Sequence, residues 1–181
     1  MAPAASCPSR LWQWLAVGAA CLMPCLAGAQ NLYRLDIPFR DDAGRTVRLS
    51  EWNGRNAIVT MEYSTCSFMC STTLYKLRQT QTAADERKDP IDFIVISLEP
   101  RNDTPESWQR YRRQRDLMRG NWHFLTAGEK DVPTIARLLD IHYWYEGSHL
   151  LHDFRLLRTD AAGDVVRSIA GYDADVNTLL N

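Results

Sequence analysis

Residues 56–70 read NAIVTMEYSTCSFMC, and the architecture of the chain turns on this stretch. Its first half, through Tyr63, is apolar and β-branched, the composition of a strand buried on both faces. Ser64, Thr65 and Cys66 break that run with short side chains. From Met69 to Arg87 no proline intervenes, and Met69, Leu74 and Leu77 recur at helical spacing, which predicts a helix. A strand thus runs into a turn and a helix, with the thiols of Cys66 and Cys70 at the junction.

The flanking sequence repeats the alternation. Residues 35–38 and 47–49 enclose Asp41-Asp42-Ala43-Gly44 and predict a short leading hairpin. Residues 91–97 (IDFIVIS) predict a second buried strand, and residues 98–103 a loop. Thr104-Pro105-Glu106 opens a helix expected to reach Met118, since threonine caps free amides and proline at the first helical position sacrifices no internal hydrogen bond. Residues 122–125 predict a third strand and residues 132–140 a helix. Residues 154–158 and 165–170 predict a closing hairpin with Gly163 in its turn. The class is α/β: a mixed central sheet flanked by helices, with an N-terminal β-hairpin. A strand, cysteine turn and helix closed by an antiparallel pair is the order of a thioredoxin-like fold.

Upstream, Arg10 precedes an apolar run over residues 11–26 and then Ala27-Gly28-Ala29, the layout of a secretory signal cut after Ala29. The expected division is a signal peptide at 1–29, or an uncleaved anchor, and one domain at 30–181. Cys21 and Cys25 are imperfect lipid-acceptor positions, which leaves lipidation as a second route to the membrane. The chain carries 21 basic and 22 acidic side chains. That balance argues against nucleic acid as a partner, which demands a dense basic face. The cluster Arg110, Arg112, Arg113 and Arg115 reads as the solvated face of a helix.

Cys7, Cys21 and Cys25 lie in the leader, so Cys66 and Cys70 are the only thiols of the exported protein. A disulfide closing three residues constrains little of the unfolded chain, so a structural bridge explains the pair poorly; metal binding or redox chemistry explains it better. Residues i and i+4 share a helix face, about 5–6 Å apart at their β-carbons, and a helix start favours the thiolate. Two soft thiolates select Cu(I), with Zn(II) as competitor. A closed zinc site would need two further histidine or carboxylate ligands. Met69 could add a thioether, but helical spacing turns it away from the cysteine face. His123 and His142 lie in or beside apolar segments and read as structural. His149 and His152, in the polar segment 147–153, are the open candidates for an imidazole ligand.

Taken in order, these residues resemble the Sco/SenC family of copper proteins that assist assembly of the cytochrome c oxidase copper site. The similarity rests on the cysteine pair with three residues between, on Ser97-Leu98-Glu99-Pro100-Arg101-Asn102-Asp103-Thr104-Pro105-Glu106, and on Leu125-Thr126-Ala127-Gly128. It also rests on a histidine eleven residues before a turn glycine, preceded by an aspartate; Gly163 and Asp160 meet that count from His152, and His149 does not. The resemblance implies copper, as Cu(I) or Cu(II), held by Cys66, Cys70 and His152. It implies a periplasmic protein, anchored at most through its N-terminus, that delivers copper to a cuproprotein such as a cytochrome c oxidase subunit. A thioredoxin-like exported reductase would keep the thiols reduced. The alternative is a thiol-disulfide oxidoreductase or copper and redox sensor using the Cys66/Cys70 pair. Family members usually have proline after each cysteine and an acid in the loop; Ser67, Ser71 and Phe68 stand here instead. The lost negative charge should favour Cu(I).

Overall fold

The structure, a computed structural model, describes residues 30–65, 70–171 and 173–181. The expected signal at 1–29, with Cys21 and Cys25, lies outside these residues, as do Cys66, Ser67, Phe68 and Met69. The leading hairpin forms later than expected: β1 (Phe39–Asp41) pairs antiparallel with β2 (Thr46–Val47), Phe39 opposite Val47. The cause is Asp41, whose Oδ1 accepts hydrogen bonds from the Ala43 and Arg45 amides at 3.0 and 2.7 Å. That carboxylate closes the turn and fixes the strand directly before it. Residues 35–38 instead follow a 3₁₀ turn at Leu32–Arg34.

β3 (Asn56–Glu62), α1 (Cys70–Arg87) and β4 (Ile91–Ser97) lie where their periodicity puts them. α2 (Pro105–Gln114) starts under a Thr104 cap but ends before Met118. Asp116 takes a left-handed φ of 51° and returns Leu117 to the core, 3% exposed. β5 (Trp122–Thr126) follows, and α3 (Val132–Leu138) stops short of Asp140, which also has φ 51°.

Residues 147–153, read from the sequence as a polar segment, supply the turn and second strand of another hairpin: β6 (Tyr143–Glu146) pairs with β7 (His149–His152) around Gly147, φ 60°. The polar ends of HLLH concealed a strand whose Leu150 is 2% exposed. β8 (Arg155–Thr159) and β9 (Val165–Ala170) make the closing hairpin, and α4 (Asn177–Leu180) ends the chain.

Seven strands form one sheet in the order β2-β1-β5-β4-β3-β8-β9. β3 runs parallel to β4, as does β5, while β8 is antiparallel to β3. Alternation along the central strands divides their side chains between two cores. Ala57, Val59, Met61, Ile94 and Ile96 pack with α3 residues Ile135 and Ala136. Ile58, Phe93 and Val95 pack with Leu74 and Leu77 of α1, Trp108 of α2 and Leu179 of α4. This mixed sheet covered on both faces is the architecture expected from the element order.

Two tertiary ties hold the sheet's ends. Gly163 turns the closing hairpin at φ 88°, and a β-carbon there would stand 2.4 Å from the Tyr33 ring. Tyr33 is itself pinned, its hydroxyl donating to the Arg55 carbonyl at 2.8 Å and lying 3.0 Å from Thr159 Oγ1. At the opposite end, Asp103 is fully buried. Its Oδ1 accepts from the Ser64 amide at 2.8 Å and its Oδ2 from Ser97 Oγ at 2.5 Å. The Asp103 carbonyl accepts from Thr126 Oγ1 at 2.7 Å. Burial pushes the Asp103 carboxyl above its usual range, against the hydrogen bonds from Ser64 and Ser97.

Gly163→Ala should cost about 2–4 kcal/mol, the sum of a disfavoured backbone conformation and a clash with a buried ring, read as a lowered denaturation midpoint. The raised Asp103 value gives its own pH signature. Folding is favoured by the neutral acid, so its contribution is complete below the ordinary value of about 3.9 and is lost as pH rises through the raised folded value. Asp103→Asn, which stays neutral, should therefore gain stability relative to the parent between pH 4 and 7. A difference that is flat with pH across urea titrations would contradict this.

Candidate metal centre

β3 delivers the chain to the cysteines and does so rigidly. Its last residue, Glu62, accepts from the Leu98 amide at 2.9 Å through its main-chain carbonyl. Tyr63 is buried and donates from its hydroxyl to the Leu150 carbonyl of β7 at 2.5 Å. Ser64 is held by Asp103, and Thr65 Oγ1 donates to Glu99 Oε2 at 2.7 Å. The segment entering Cys66 is thus tied both to the loop after β4 and to the β6/β7 hairpin. Cys66 lies outside the described residues, and Cys70 is the first residue of α1. A helix start presents unpaired amides and a partial positive charge.

His152 closes β7 at the same end of the sheet. Its side chain is only 8% exposed, and its Nε2 stands 3.7 Å from Glu62 Oε2. Its Nδ1 lies 3.0 Å from the Asp153 carbonyl oxygen. A carbonyl only accepts, so Nδ1 carries the proton and Nε2 is the nitrogen turned toward Glu62. The Tyr63 ring meets the imidazole edge-on, centroids 6.0 Å apart.

The other histidines are placed elsewhere. His149 is exposed at the start of β7, across from Glu146. His142 is exposed rather than packed in an apolar strand, because β6 begins after it; its Nδ1 lies 2.8 Å from Asp153 Oδ2. His123 of β5 is partly buried, with Nε2 2.8 Å from Asp92 Oδ1; that oxygen also receives Arg55 at 2.6 Å. It hydrogen-bonds a buried carboxylate, a structural role.

Two residues of this end carry no role in the sequence reading. Asp103 sits within the quoted 97–106 motif, but its buried contact with Ser64 depends on tertiary placement. Glu62 is 2% exposed, and neither of its carboxylate oxygens has a hydrogen-bond partner among the described residues. A charged residue closing an apolar run directly before a cysteine turn was the available signal. Among the described residues no three His, Cys, Asp or Glu side chains converge as a metal site; what converges is the pair His152 and Glu62.

The family model for SCO1/SenC matches residues 29–176. No curated protein sequence matches the chain. Solved structures share its fold at low identity. A copper-bound ScoI from Arabidopsis thaliana is 17% identical, with 79% of this chain and 90% of that one covered, TM-score 0.68. A SCO1/SenC family lipoprotein from Bacillus anthracis is 18% identical over 80% and 92%, TM-score 0.69. BsSco, described with a disulfide switch as a member of the Sco family of cytochrome c oxidase assembly proteins, is 18% identical over 81% and 87%, TM-score 0.68. With the match spanning nearly the whole described fold, from the first 3₁₀ turn to the approach to α4, this chain is a member of the SCO1/SenC family.

Proposed function

We propose that this protein is an exported copper chaperone that binds copper through Cys66, Cys70 and His152 and passes it to a cuproprotein. The observation that carries the reading is the imidazole of His152, nearly buried, tautomerically set by the Asp153 carbonyl, and held at the end of the strand that leads into Cys66. The donor set suits the ion. Two thiolates at a helix start and one neutral nitrogen favour copper over ions that prefer oxygen, and a second-sphere hydrogen bond on Nδ1 is what metal-binding imidazoles use to fix their orientation.

Copper bound to the Arabidopsis ScoI supports the choice of metal, and the assembly role in the BsSco description supports a cytochrome c oxidase subunit as recipient. The lipoprotein relative supports an exported protein held at a membrane by its N-terminus. Among the described residues no helix is long and apolar enough to cross a membrane. Delivery then proceeds by ligand exchange, a thiolate of the recipient displacing one of the chaperone's. In an oxidising compartment Cys66 and Cys70 tend to pair as a disulfide, which cannot supply two thiolates. An exported dithiol reductase must therefore give two electrons and two protons before each loading, becoming a disulfide itself. The disulfide switch described for BsSco supports the same two-state cycle.

The reduced protein should bind one equivalent of Cu(I), and Cys66→Ser or Cys70→Ser should abolish tight retention in a competition titration. His152→Ala should leave the thiols reducible while weakening copper by at least about tenfold, on the order of 1.4 kcal/mol. Unchanged affinity and spectrum in that variant would remove His152 from the site. Disulfide reductase turnover by the metal-free protein would shift the assignment to an oxidoreductase.

A further inference from the structure

Glu62 is the group that the chaperone reading leaves unused. β3 alternates, so Ile58, Thr60 and Glu62 share the sheet face on which Ile58 packs against α1 residues Leu74 and Leu77. The Glu62 carboxyl therefore lies beneath the end of the sheet where α1 begins at Cys70. It is 2% exposed with both oxygens lacking a hydrogen-bond partner among the described residues. Burying such a group without hydrogen bonds is strongly unfavourable, and a buried carboxylate is retained when a cation accompanies it.

The distance to His152 indicates what that cation is. At 3.7 Å, Oε2 and Nε2 are too far apart for a good hydrogen bond. Imidazole nitrogen and carboxylate oxygen bound to one first-row ion at about 2.0–2.1 Å stand about 3.3–3.6 Å apart for angles of about 110–120°. At 3.7 Å the two atoms stand just outside that span, too wide for a shared proton and close enough that a small side-chain adjustment lets one ion bridge them.

We infer that the Glu62 carboxylate is a further copper ligand, adding an oxygen from β3 to the thiolates and the His152 imidazole. The inference rests on the copper-chaperone reading. An oxygen donor favours Cu(II), so Glu62 counters the shift toward Cu(I) expected where Phe68 occupies the loop. The site then holds copper in both oxidation states, one anion coming from the sheet instead of the cysteine turn.

The test compares wild type, Glu62→Gln and His152→Ala as purified full-length protein, titrated separately with Cu(II) and, after reduction, with Cu(I). Wild type should bind one ion in each state. Glu62→Gln should lose at least about tenfold in Cu(II) affinity and less than about threefold in Cu(I) affinity, with altered copper hyperfine splitting in the Cu(II) electron paramagnetic resonance spectrum. His152→Ala should weaken both. Should Glu62→Gln fail to fold, wild type labelled with ¹³C at the glutamate carboxyl decides: electron-nuclear double resonance should show direct coupling of one such carbon to Cu(II). A folded Glu62→Gln protein with unchanged Cu(II) affinity and spectrum, or no coupling in the labelled protein, overturns the inference and leaves the chaperone reading standing. Failure of wild type to bind copper in either state overturns both.

Discussion

The parallel register of β3 on β4, from Asn56 opposite Ile91 to Glu62 opposite Ser97, governs the rest of the molecule. Parallel strands finish at the same edge, so the turn into Cys66 and the loop of residues 98–103 emerge together. Ser97 can then bond Asp103, and Asp103 can bond Ser64. Because β8 runs antiparallel to β3, its start also arrives at that edge; Thr60 donates to the Arg155 carbonyl at 2.7 Å, and His152 lies just before it. Sites in α/β sheets gather outside the carboxyl ends of the parallel strands for the same geometric reason.

Three of the buried acids in and beside this sheet meet the cost of burial in different ways. Asp92 accepts from Arg55 and faces His123, a compensated charge on the α3 side. Asp103 takes hydrogen bonds from an amide and a hydroxyl, and burial still raises its carboxyl value. Among the described residues Glu62 has neither, and the imidazole of His152 stands at 3.7 Å. The first two are complete as folded, and they hold the framework. The third is incomplete, and it lies where the proposed metal would complete it.

The cysteine turn departs from its relatives at Ser67, Phe68 and Ser71, where the family usually places prolines and an acid. The described approach to that segment is tied to the surrounding structure through Asp103 on Ser64, Glu99 on Thr65, and the Tyr63 hydroxyl on the Leu150 carbonyl.

Sequence alone determined the α/β class, the start of β3, the bounds of β4, the Thr104 cap and the membership of His152 in the candidate ligand set. These rest on local causes: apolar runs, helical spacing, capping chemistry and a family spacing that ends on Gly163. Helix ends at Gln114 and Leu138, the displaced first hairpin and the β6/β7 pair were set by tertiary contacts: Leu117 and Leu150 are drawn into the core, and Asp41 closes its own turn. The pairing of Glu62 with His152 needed the folded chain most of all. Ninety residues separate them in sequence, and only the strand register, which no local pattern encodes, brings a buried carboxylate and an imidazole to the same end of the sheet.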